Sequence, residues 1–406
     1  MSVVDCIQPI PARTLVAGSP ELVENILSWL PIRDLKRLAR VCRLWQLYSH
    51  KQKDKRKWLK WCLAKKTRKT NWAPMGELPE VTAFFDSLSI EIDLLLCFGR
   101  LPLSRPCDGG NDLIHLQRKF LPKDAKIIAG VCSAGIVGTD PRTGETAEMQ
   151  NPALECMSCL LVPKSCGLEI VDIHVSLHLL EQIQLQRLGQ PTFYDPEWFP
   201  ELGERRVRCL IILLPAYVDG DYGQSLAEIF WAKEAGQLAI CGGVVEDVVK
   251  LDAMARTPED LSILALAVCG EQVSAMSTVI YPSSRSKKRV RAQMSRLAES
   301  CGMPAPANGK TTRSAKQPPV LKQGSQVAFM FPCAGRGKKL FDQPNVESSI
   351  LREFFPDAPV LGLFTLGEFG LMYPPSQGEQ EGIPSDCPNV CYSYSTAVAV
   401  VTLHSR

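Results

Sequence analysis

Between residues 20 and 65, large apolar residues recur every three or four positions, which is the spacing of short amphipathic helices. Ser19 and Pro20 form a helix start, because serine caps a first turn and proline fits the first helical position. Pro31 ends this helix, and Asp34 lies near the start of a second one, where its charge suits the helix dipole. We predict a third, very basic helix over residues 48–65. Its apolar side would comprise Trp58, Leu59, Trp61 and Cys62.

Three short helices of this kind carry more large apolar side chains than roughly 50 residues can bury. Part of the apolar surface is therefore expected to stay exposed until a second protein covers it, which makes the segment a candidate docking module. Periodicity alone is equally compatible with a plain helical subdomain that packs on the rest of the chain.

The spacing of short motifs helps to choose between these interpretations. Pro20-Glu21-Leu22, Ile26-Leu27, Leu30-Pro31, Asp34-Leu35, Leu38 and Val41-Cys42-Arg43-Leu44-Trp45 together resemble the F-box. The F-box usually begins with Leu-Pro, where this chain has Ser19-Pro20. The resemblance implies a small all-α three-helix domain that binds the Skp-type adaptor of cullin–RING ubiquitin ligases. It assigns the domain core and the adaptor contact to Pro20, Leu22, Ile26, Leu27, Leu30, Pro31, Leu35, Leu38, Val41, Cys42 and Trp45.

Past residue 80, the most informative pattern is an internal repeat. An apolar run ending in Cys97-x-Gly99-Arg100 matches one ending in Cys333-x-Gly335-Arg336. The set Asn111, Arg118, Phe120 and Pro122 recurs at identical spacing as Asn345, Arg352, Phe354 and Pro356. The set Gly130, Ser133, Gly135 and Gly138 recurs as Gly362, Thr365, Gly367 and Gly370. In each copy a helix separates two apolar strands, which predicts neighbouring strands joined by a crossover.

The segment between the two copies has a similar pattern. A strand is predicted over residues 208–215, a helix over 225–235 and a strand over 238–245. Two more apolar runs, 263–269 and 272–281, are predicted to form a hairpin around Gly270 and Glu271. They are followed by a predicted helix over 286–300.

The glycine loops of the repeat could hold a ligand, because glycine permits positive φ and exposed backbone N–H groups can bind an anion. The motifs Phe331-Pro-Cys333, Phe355-Pro-Asp-Ala, Thr365-x-Gly367-Glu368 and Tyr394-Ser395-Thr396 resemble the C-terminal FIST domain. The first copy and the middle unit resemble its N-terminal partner domain more faintly. Ser395 stands where the bacterial pattern usually has Asn, and Ile136 stands in the first copy at the position of Glu368.

These resemblances predict an α/β (α+β), two-part FIST-like body of duplicated strand–helix–strand units, preceded by the small F-box. The expected boundaries are a disordered tail over 1–15, the F-box over 16–62 and a basic linker over 63–79. The FIST N-terminal-like domain would cover 80–260 and the C-terminal-like domain 261–403, with a flexible insertion over about 301–324.

Composition and charge argue against several classes of function. A net charge of +3 is too close to balance to indicate a nucleic-acid binder. The basic run over residues 51–69 favours a solvated helix face over a nuclear import signal. No run of about 18 apolar residues predicts a membrane span. The first residues do not resemble an export signal, so the 16 cysteines are expected to be mostly free thiols in the cytoplasm and nucleus.

A metal site is the first candidate chemistry. Cys156, Cys159, Cys166, His174 and His178 could supply zinc ligands, but Cys159 leads directly into a strand-like run, so neither a metal nor another cofactor is expected.

Cys333 lies beside Arg336 and a glycine loop, which could make it a reactive thiol. None of the five histidines lies in the repeat loops to act as its base, so an inert cysteine is favoured. Glu368 is interpreted either as a contact for a cationic ligand or as an exposed carboxylate.

The predicted function is substrate recognition in a Skp–cullin–F-box ubiquitin ligase, leading to proteasomal degradation, with no catalytic residue in this chain. The partners would be the Skp-type adaptor, the cullin, the RING subunit and protein substrates. The predicted target or ligand surface comprises Cys97, Gly99, Arg100, Cys333, Gly335, Arg336, Gly337, Thr365, Gly367 and Glu368, because exposed backbone and basic side chains are expected there. The alternatives are a small-ligand sensor and a thiol-dependent enzyme.

Overall fold

The computed structural model describes residues 19–56, 58–66, 75–100, 110–150, 155–164, 166–186, 194–251, 259–260, 263–303, 326–375 and 387–404. The tail predicted over 1–15 and nearly all of the insertion predicted over 301–324 lie outside these ranges. Within the described residues, no helix is long and apolar enough to cross a bilayer.

The N-terminal part is helical, as the resemblance implies. It contains α1 (Pro20–Ser28), α2 (Ile32–Leu38) and α3 (Arg43–Lys55), which we call the helical module. Ser19 caps α1 by accepting a hydrogen bond from the backbone N–H of Leu22, and Pro20 occupies the first turn. Val23, Leu27 and Leu35 form the fully buried centre of the module.

The third predicted helix is wrong in its second half. Helix α3 ends at Lys55, and the strand β1 (Lys60–Lys65) follows and pairs with a strand of the body. Trp61 and Leu63 pack on one side of the sheet, whereas Cys62 and Ala64 pack on the other. A strand covered on both faces shows a continuous apolar run, which periodicity cannot distinguish from a buried helix. Residues 63–65, expected to begin a linker, form the second half of this strand.

The body consists of three successive units of six strands each. Unit 1 contains β1, α4 (Pro79–Asp86), β2 (Ile92–Arg100), α5 (Gly110–Phe120), β3 (Lys126–Val131), β4 (Ile136–Thr139), β5 (Thr146–Met149) and β6 (Cys156–Pro163). Unit 2 contains β7 (Glu169–Val175), α6 (Leu177–Gln186), β8 (Val207–Pro215), α7 (Gly220–Lys233), β9 (Ala239–Val245), β10 (Asp247–Leu251), β11 (Glu259–Asp260) and β12 (Ile263–Cys269). Unit 3 contains β13 (Val273–Ile280), α8 (Lys287–Ser300), β14 (Gln326–Pro332), α9 (Lys338–Phe341), α10 (Val346–Phe354), β15 (Val360–Leu363), β16 (Glu368–Gly370), β17 (Cys391–Tyr392) and β18 (Thr396–Leu403).

The three units share one topology. In each unit the first strand pairs with the sixth, the sixth pairs with the second, and the second pairs in parallel with the third across a helical crossover. The predicted crossovers are therefore confirmed in all three units. The prediction of a helical segment followed by an α/β body is also confirmed, and the duplicated pattern proves to be a threefold repeat.

The units are interlocked by their fourth strands. Strand β4 of unit 1 pairs with β15 of unit 3, β16 of unit 3 pairs with β9 of unit 2, and β10 of unit 2 pairs with β3 of unit 1. Each of the three six-stranded sheets thus contains four strands of one unit and two of another. This cyclic exchange means that a unit completes its sheet only in the presence of the others.

The three sheets enclose one apolar interior. Phe98 of β2, Leu213 of β8 and Phe329 of β14 belong to a single buried cluster to which all three sheets contribute. The ring of Phe98 lies edge-on to that of Phe331 at 5.6 Å between centroids. The outer face of each sheet is covered by its own helices, through residues such as Phe85 of α4 in unit 1.

The hairpin predicted around Gly270 and Glu271 is wrong. Strand β12 pairs with β7 and β8, whereas β13 pairs with β18 in a different sheet. Gly270 has φ of 143°, and a Cβ atom at this position would lie 2.4 Å from the carbonyl oxygen of Gly167. The turn is a link between two units, because β12 is the last strand of unit 2 and β13 is the first of unit 3.

Candidate docking site

Helix α1 and the two residues that follow it carry two apolar stripes side by side. Val23, Leu27 and Leu30 follow the i, i+4, i+7 spacing and face the centre of the module. Leu22, Ile26 and Trp29 follow the same spacing one position earlier, but Leu22 is 39% exposed and Trp29 is 84% exposed. The second stripe therefore remains uncovered within the described residues of this chain.

Two more large apolar side chains of the helical module are exposed. Val41, in the link between α2 and α3, is 62% exposed, and Leu47 of α3 is 52% exposed. Single exposed apolar residues are common on soluble proteins. Four exposed apolar side chains in a module of this size, besides the half-buried Ile26, are more than single scattered residues would give and are typical of a protein-binding surface.

The predicted adaptor residues divide into three groups by exposure. Leu27 and Leu35 are buried in the module core, and Pro20, Leu22, Val41 and Cys42 are exposed. The half-buried members are Ile26, Leu30, Pro31, Leu38 and Trp45. Sequence reasoning missed Trp29 and Leu47, although the spacing of Trp29 from Leu22 and Ile26 was visible in the sequence.

The helical module is fixed to the body by a buried arginine. The guanidinium of Arg56 donates hydrogen bonds to the carbonyl oxygens of Leu27, Ser28 and Leu30 at 2.6 to 2.9 Å, and to that of Ser89 at 3.3 Å. Burial lowers the pKa of Arg56 from its usual value.

Further contacts across the same junction are polar. The backbone N–H of Ile32 donates to the carbonyl of Leu88, and Lys36 pairs with Glu91 at 2.9 Å. The module is therefore held in a defined position on unit 1, and none of the described residues covers its exposed stripe.

The second predicted surface, around Cys333, proves to be largely internal. Arg336 was expected to be exposed, but only 1% of this residue is accessible, so this expectation is wrong. Its guanidinium pairs with Glu347 and donates to the carbonyls of Tyr394 and Ser284. A charge is buried here because a carboxylate and two carbonyls satisfy it.

The glycine loop after β14 uses its backbone donors within the protein. The N–H of Cys333 donates to the carbonyl of Ser395, that of Ala334 to Thr365, and that of Arg336 to Cys333. The N–H of Lys338 donates to the side chain of Gln150. These four amides are therefore not available to cradle an anion, in contrast to the expectation from the glycine pattern.

Glu368 is buried. It is therefore neither an exposed carboxylate nor a surface contact for a cationic ligand. It accepts hydrogen bonds from the N–H and hydroxyl of Ser395 at 2.9 and 3.0 Å and from the Thr365 hydroxyl at 3.2 Å. Burial nevertheless raises the pKa of Glu368 to about 7. Burial and the adjacent Glu368 also raise the pKa of the Cys333 thiol, which favours the protonated form.

The equivalent positions in unit 1 lie in the sheet. Cys97 and Gly99 are buried in β2, and Arg100 at its end is half-buried. The sulfur of Cys97 lies 3.1 Å from that of Cys159. Cys156 and Cys159 pack on opposite faces of β6, so these two thiols do not converge on one metal ion.

Comparison with known proteins agrees with the sequence motifs. A family model described as F-box-like matches residues 20–52, which contain α1, α2 and most of α3. A model described as FIST C domain matches residues 231–371, from the end of α7 to the segment after β16.

Two curated proteins match most of the chain. F-box only protein 22 of Pongo abelii is 25% identical over 387 residues, which cover 89% of this chain and 86% of that protein. F-box only protein 22 of Homo sapiens is 24% identical over 385 residues, with the same coverage. The chain matches the F-box-like model in its helical module and the FIST C domain model in its body, and it resembles F-box only protein 22 along most of its length.

Proposed function

We propose that this protein is the substrate-recognition subunit of a Skp–cullin–F-box ubiquitin ligase. The helical module would bind the Skp-type adaptor, and through it the cullin and the RING subunit. The body would hold target proteins for ubiquitination and proteasomal degradation, without catalysing a reaction itself.

The observation that carries this proposal is the uncovered stripe of Leu22, Ile26 and Trp29 on α1, within the segment that the F-box-like model matches. An exposed tryptophan flanked by aliphatic side chains is the kind of anchor that dominates protein–protein binding energy. The rigid attachment through Arg56 supports the same role, because a substrate receptor has to hold its target in a fixed position relative to the ligase.

The test is co-purification of the full chain with a Skp-type adaptor. The variant Leu22→Asp with Trp29→Ala changes only exposed positions, so the module should stay folded. We expect its affinity for the adaptor to fall by about 100-fold or more, because the variant changes two interface anchors and truncating each one typically removes about 2 kcal/mol or more. Replacing Leu27, by contrast, would disturb the core and could not separate binding from folding.

The matched control is Leu185→Asp, a change at another exposed leucine, on α6 of the body. It should co-purify with the adaptor as the wild type does. Unchanged adaptor binding by the Leu22→Asp, Trp29→Ala variant would contradict the proposal.

A further inference from the structure

The threefold body has three corners, where the first strand of a unit lies beside the fourth and fifth strands of the same unit, which belong to a neighbouring sheet. Two corners are tied together. At the β7 corner, Lys250 of β10 pairs with Asp172 at 2.7 Å. At the β13 corner, Ser277 exchanges two backbone hydrogen bonds of 2.9 Å with Tyr373. The third corner, between β1 and the β4–β5 hairpin, contains instead a cleft of about 530 Å³.

This cleft runs along the edge of β1 and does not lie on one face of its sheet. Cys62 and Leu63 both line it, although adjacent residues of a strand point to opposite faces. Both can border one cleft only if the cleft follows the strand edge. Among the described residues, β1 pairs with β6 alone, so its other edge faces the cleft.

The register of β1 identifies the backbone groups on this edge. The N–H of Lys66 donates to the carbonyl of Glu155 at 2.8 Å, so even-numbered residues of β1 exchange hydrogen bonds with β6. The N–H and C=O groups of Trp61, Leu63 and Lys65 therefore point away from β6. A strand edge of this kind is a template on which another extended segment can pair.

The walls of the cleft fit such a segment. Glu80 and Phe84 lie on one face of α4, and together with Ser87 at its C-terminal end they form the first wall. The β4–β5 hairpin forms the second wall, which includes Met149. A groove between a helix and an exposed strand edge is a recurring site for peptides that bind by strand addition.

The acidic side chains that line the cleft indicate which kind of peptide it would bind. Asp140 is engaged by the side chain of Arg142 at 3.4 Å. Glu80 and Glu145 form no ion pair among the described residues, and Lys65 also lines the cleft. Phe84 and Met149 add apolar surface. The lining therefore suits an extended peptide that carries an aliphatic and a basic side chain.

We propose that the cleft binds an extended segment of a partner protein by strand addition to β1, with a lysine or arginine of that segment paired with Glu80 and Glu145. Strand addition itself is independent of the ligase role. The further identification of this partner with a recruited target rests on the proposed function.

The test uses the full chain and a fluorescein-labelled decapeptide of alternating valine and threonine with one central lysine, and fluorescence anisotropy reports its affinity. A matched peptide is N-methylated at alternate amides, which blocks pairing with a strand edge. The variant Lys65→Pro removes an outward N–H without breaking the β1–β6 ladder, and Lys65→Ala keeps that N–H. The variant Glu80→Lys with Glu145→Lys inverts the charge of the cleft and leaves β1 unchanged.

We expect binding of the lysine peptide to weaken by about tenfold in Lys65→Pro and by less than about twofold in Lys65→Ala, since the two differ in one backbone donor and in the shape of the edge. The double glutamate variant should weaken binding by about fivefold, because exposed ion pairs contribute modestly. The N-methylated peptide should not bind. Thermal unfolding checks that each variant is folded.

Equal affinity of the lysine peptide for all variants would overturn the proposal. Slow hydrogen exchange of the amides of Trp61, Leu63 and Lys65 in the free chain would also overturn it, because the chain itself would then cover the edge. To separate the two proposals, the Leu22→Asp, Trp29→Ala variant should bind the peptide as the wild type does. Conversely, Lys65→Pro should co-purify with the Skp-type adaptor normally.

Discussion

One guanidinium nitrogen of Arg56, Nη2, lies 2.8 Å from the carbonyl oxygen of Leu27 and 2.9 Å from the carbonyl oxygen of Ser28. These carbonyls belong to the last turn of α1, where helical hydrogen bonds end and the helix dipole favours a cation. Through Ser89, the guanidinium also reaches the body. The Arg56 side chain thus satisfies carbonyl groups at the end of α1 and also joins the helical module to unit 1.

We therefore predict that Arg56→Ala destabilises the helical module by about 2 kcal/mol, because hydrogen bonds from a charged donor typically contribute about 1.5–3 kcal/mol. Hydrogen exchange of residues 20–38 in the full chain should accelerate by about 30-fold, while exchange in β8 should be unchanged. The control is Lys55→Ala, which removes only an exposed ion pair with Glu24. Unchanged exchange in residues 20–38 would show that Arg56 is not the link.

The sequence allowed the helical module to be predicted because its signals are local. The cap at Ser19, the stop at Pro31 and the stripe of Val23 and Leu27 depend on neighbours within a few residues. The crossovers were also predictable, because a helix between two apolar strands has few alternatives.

The errors concern pairing between distant segments. The apolar run that contains Trp61 and Leu63 matches a helix as long as its pairing with β6 is unknown. In the same way, β12 and β13 match a hairpin as long as the pairing of β13 with β18 is unknown. The burial of Arg336 could not be predicted either, because it depends on Ser284 and Tyr394, which are distant in sequence. Partner identity in a sheet is a long-range property that no local pattern contains.

The buried pair of Arg336 and Glu347 gives a second prediction. Arg336→Leu alone leaves the carboxylate of Glu347 buried without its cation, so the free energy of unfolding should fall by about 3–5 kcal/mol. Arg336→Leu with Glu347→Leu should recover about 2 kcal/mol of this loss, because no uncompensated charge remains. Urea unfolding curves measure both. Simple additivity of the Arg336→Leu and Glu347→Leu effects would show that the two charges are not coupled.

A third prediction concerns the parallel strands of unit 2. Gly242 in β9 has φ of 139°, and a Cβ atom there would lie 2.0 Å from the carbonyl oxygen of Ile212 in the neighbouring strand. Gly242→Ala should lower the free energy of unfolding by about 3 kcal/mol, because strain and overlap both oppose it. The control is Gly220→Ala in the first turn of α7, where an added Cβ would meet no atom within 4 Å. Similar stability of both variants would contradict this packing argument.

The fourth prediction follows from the raised pKa of Glu368. Burial raises this pKa from 4.5 to about 7, so the fold favours the protonated carboxyl group. The stabilisation is fully present below pH 4.5 and is lost as the pH rises to about 7. A shift of this size corresponds to about 3 kcal/mol at neutral pH and above. Glu368→Gln keeps a neutral side chain at every pH.

Relative to the wild type, Glu368→Gln should therefore gain stability as the pH rises from about 4.5 to 8, by up to about 3 kcal/mol. Urea unfolding at several pH values measures this difference, and other titrating groups cancel because both proteins contain them. Glu204→Gln, at an exposed position of the body, should show no such trend. A difference between Glu368→Gln and the wild type that stays constant across this pH range would mean that the carboxyl group ionises normally, despite its burial beside Ser395.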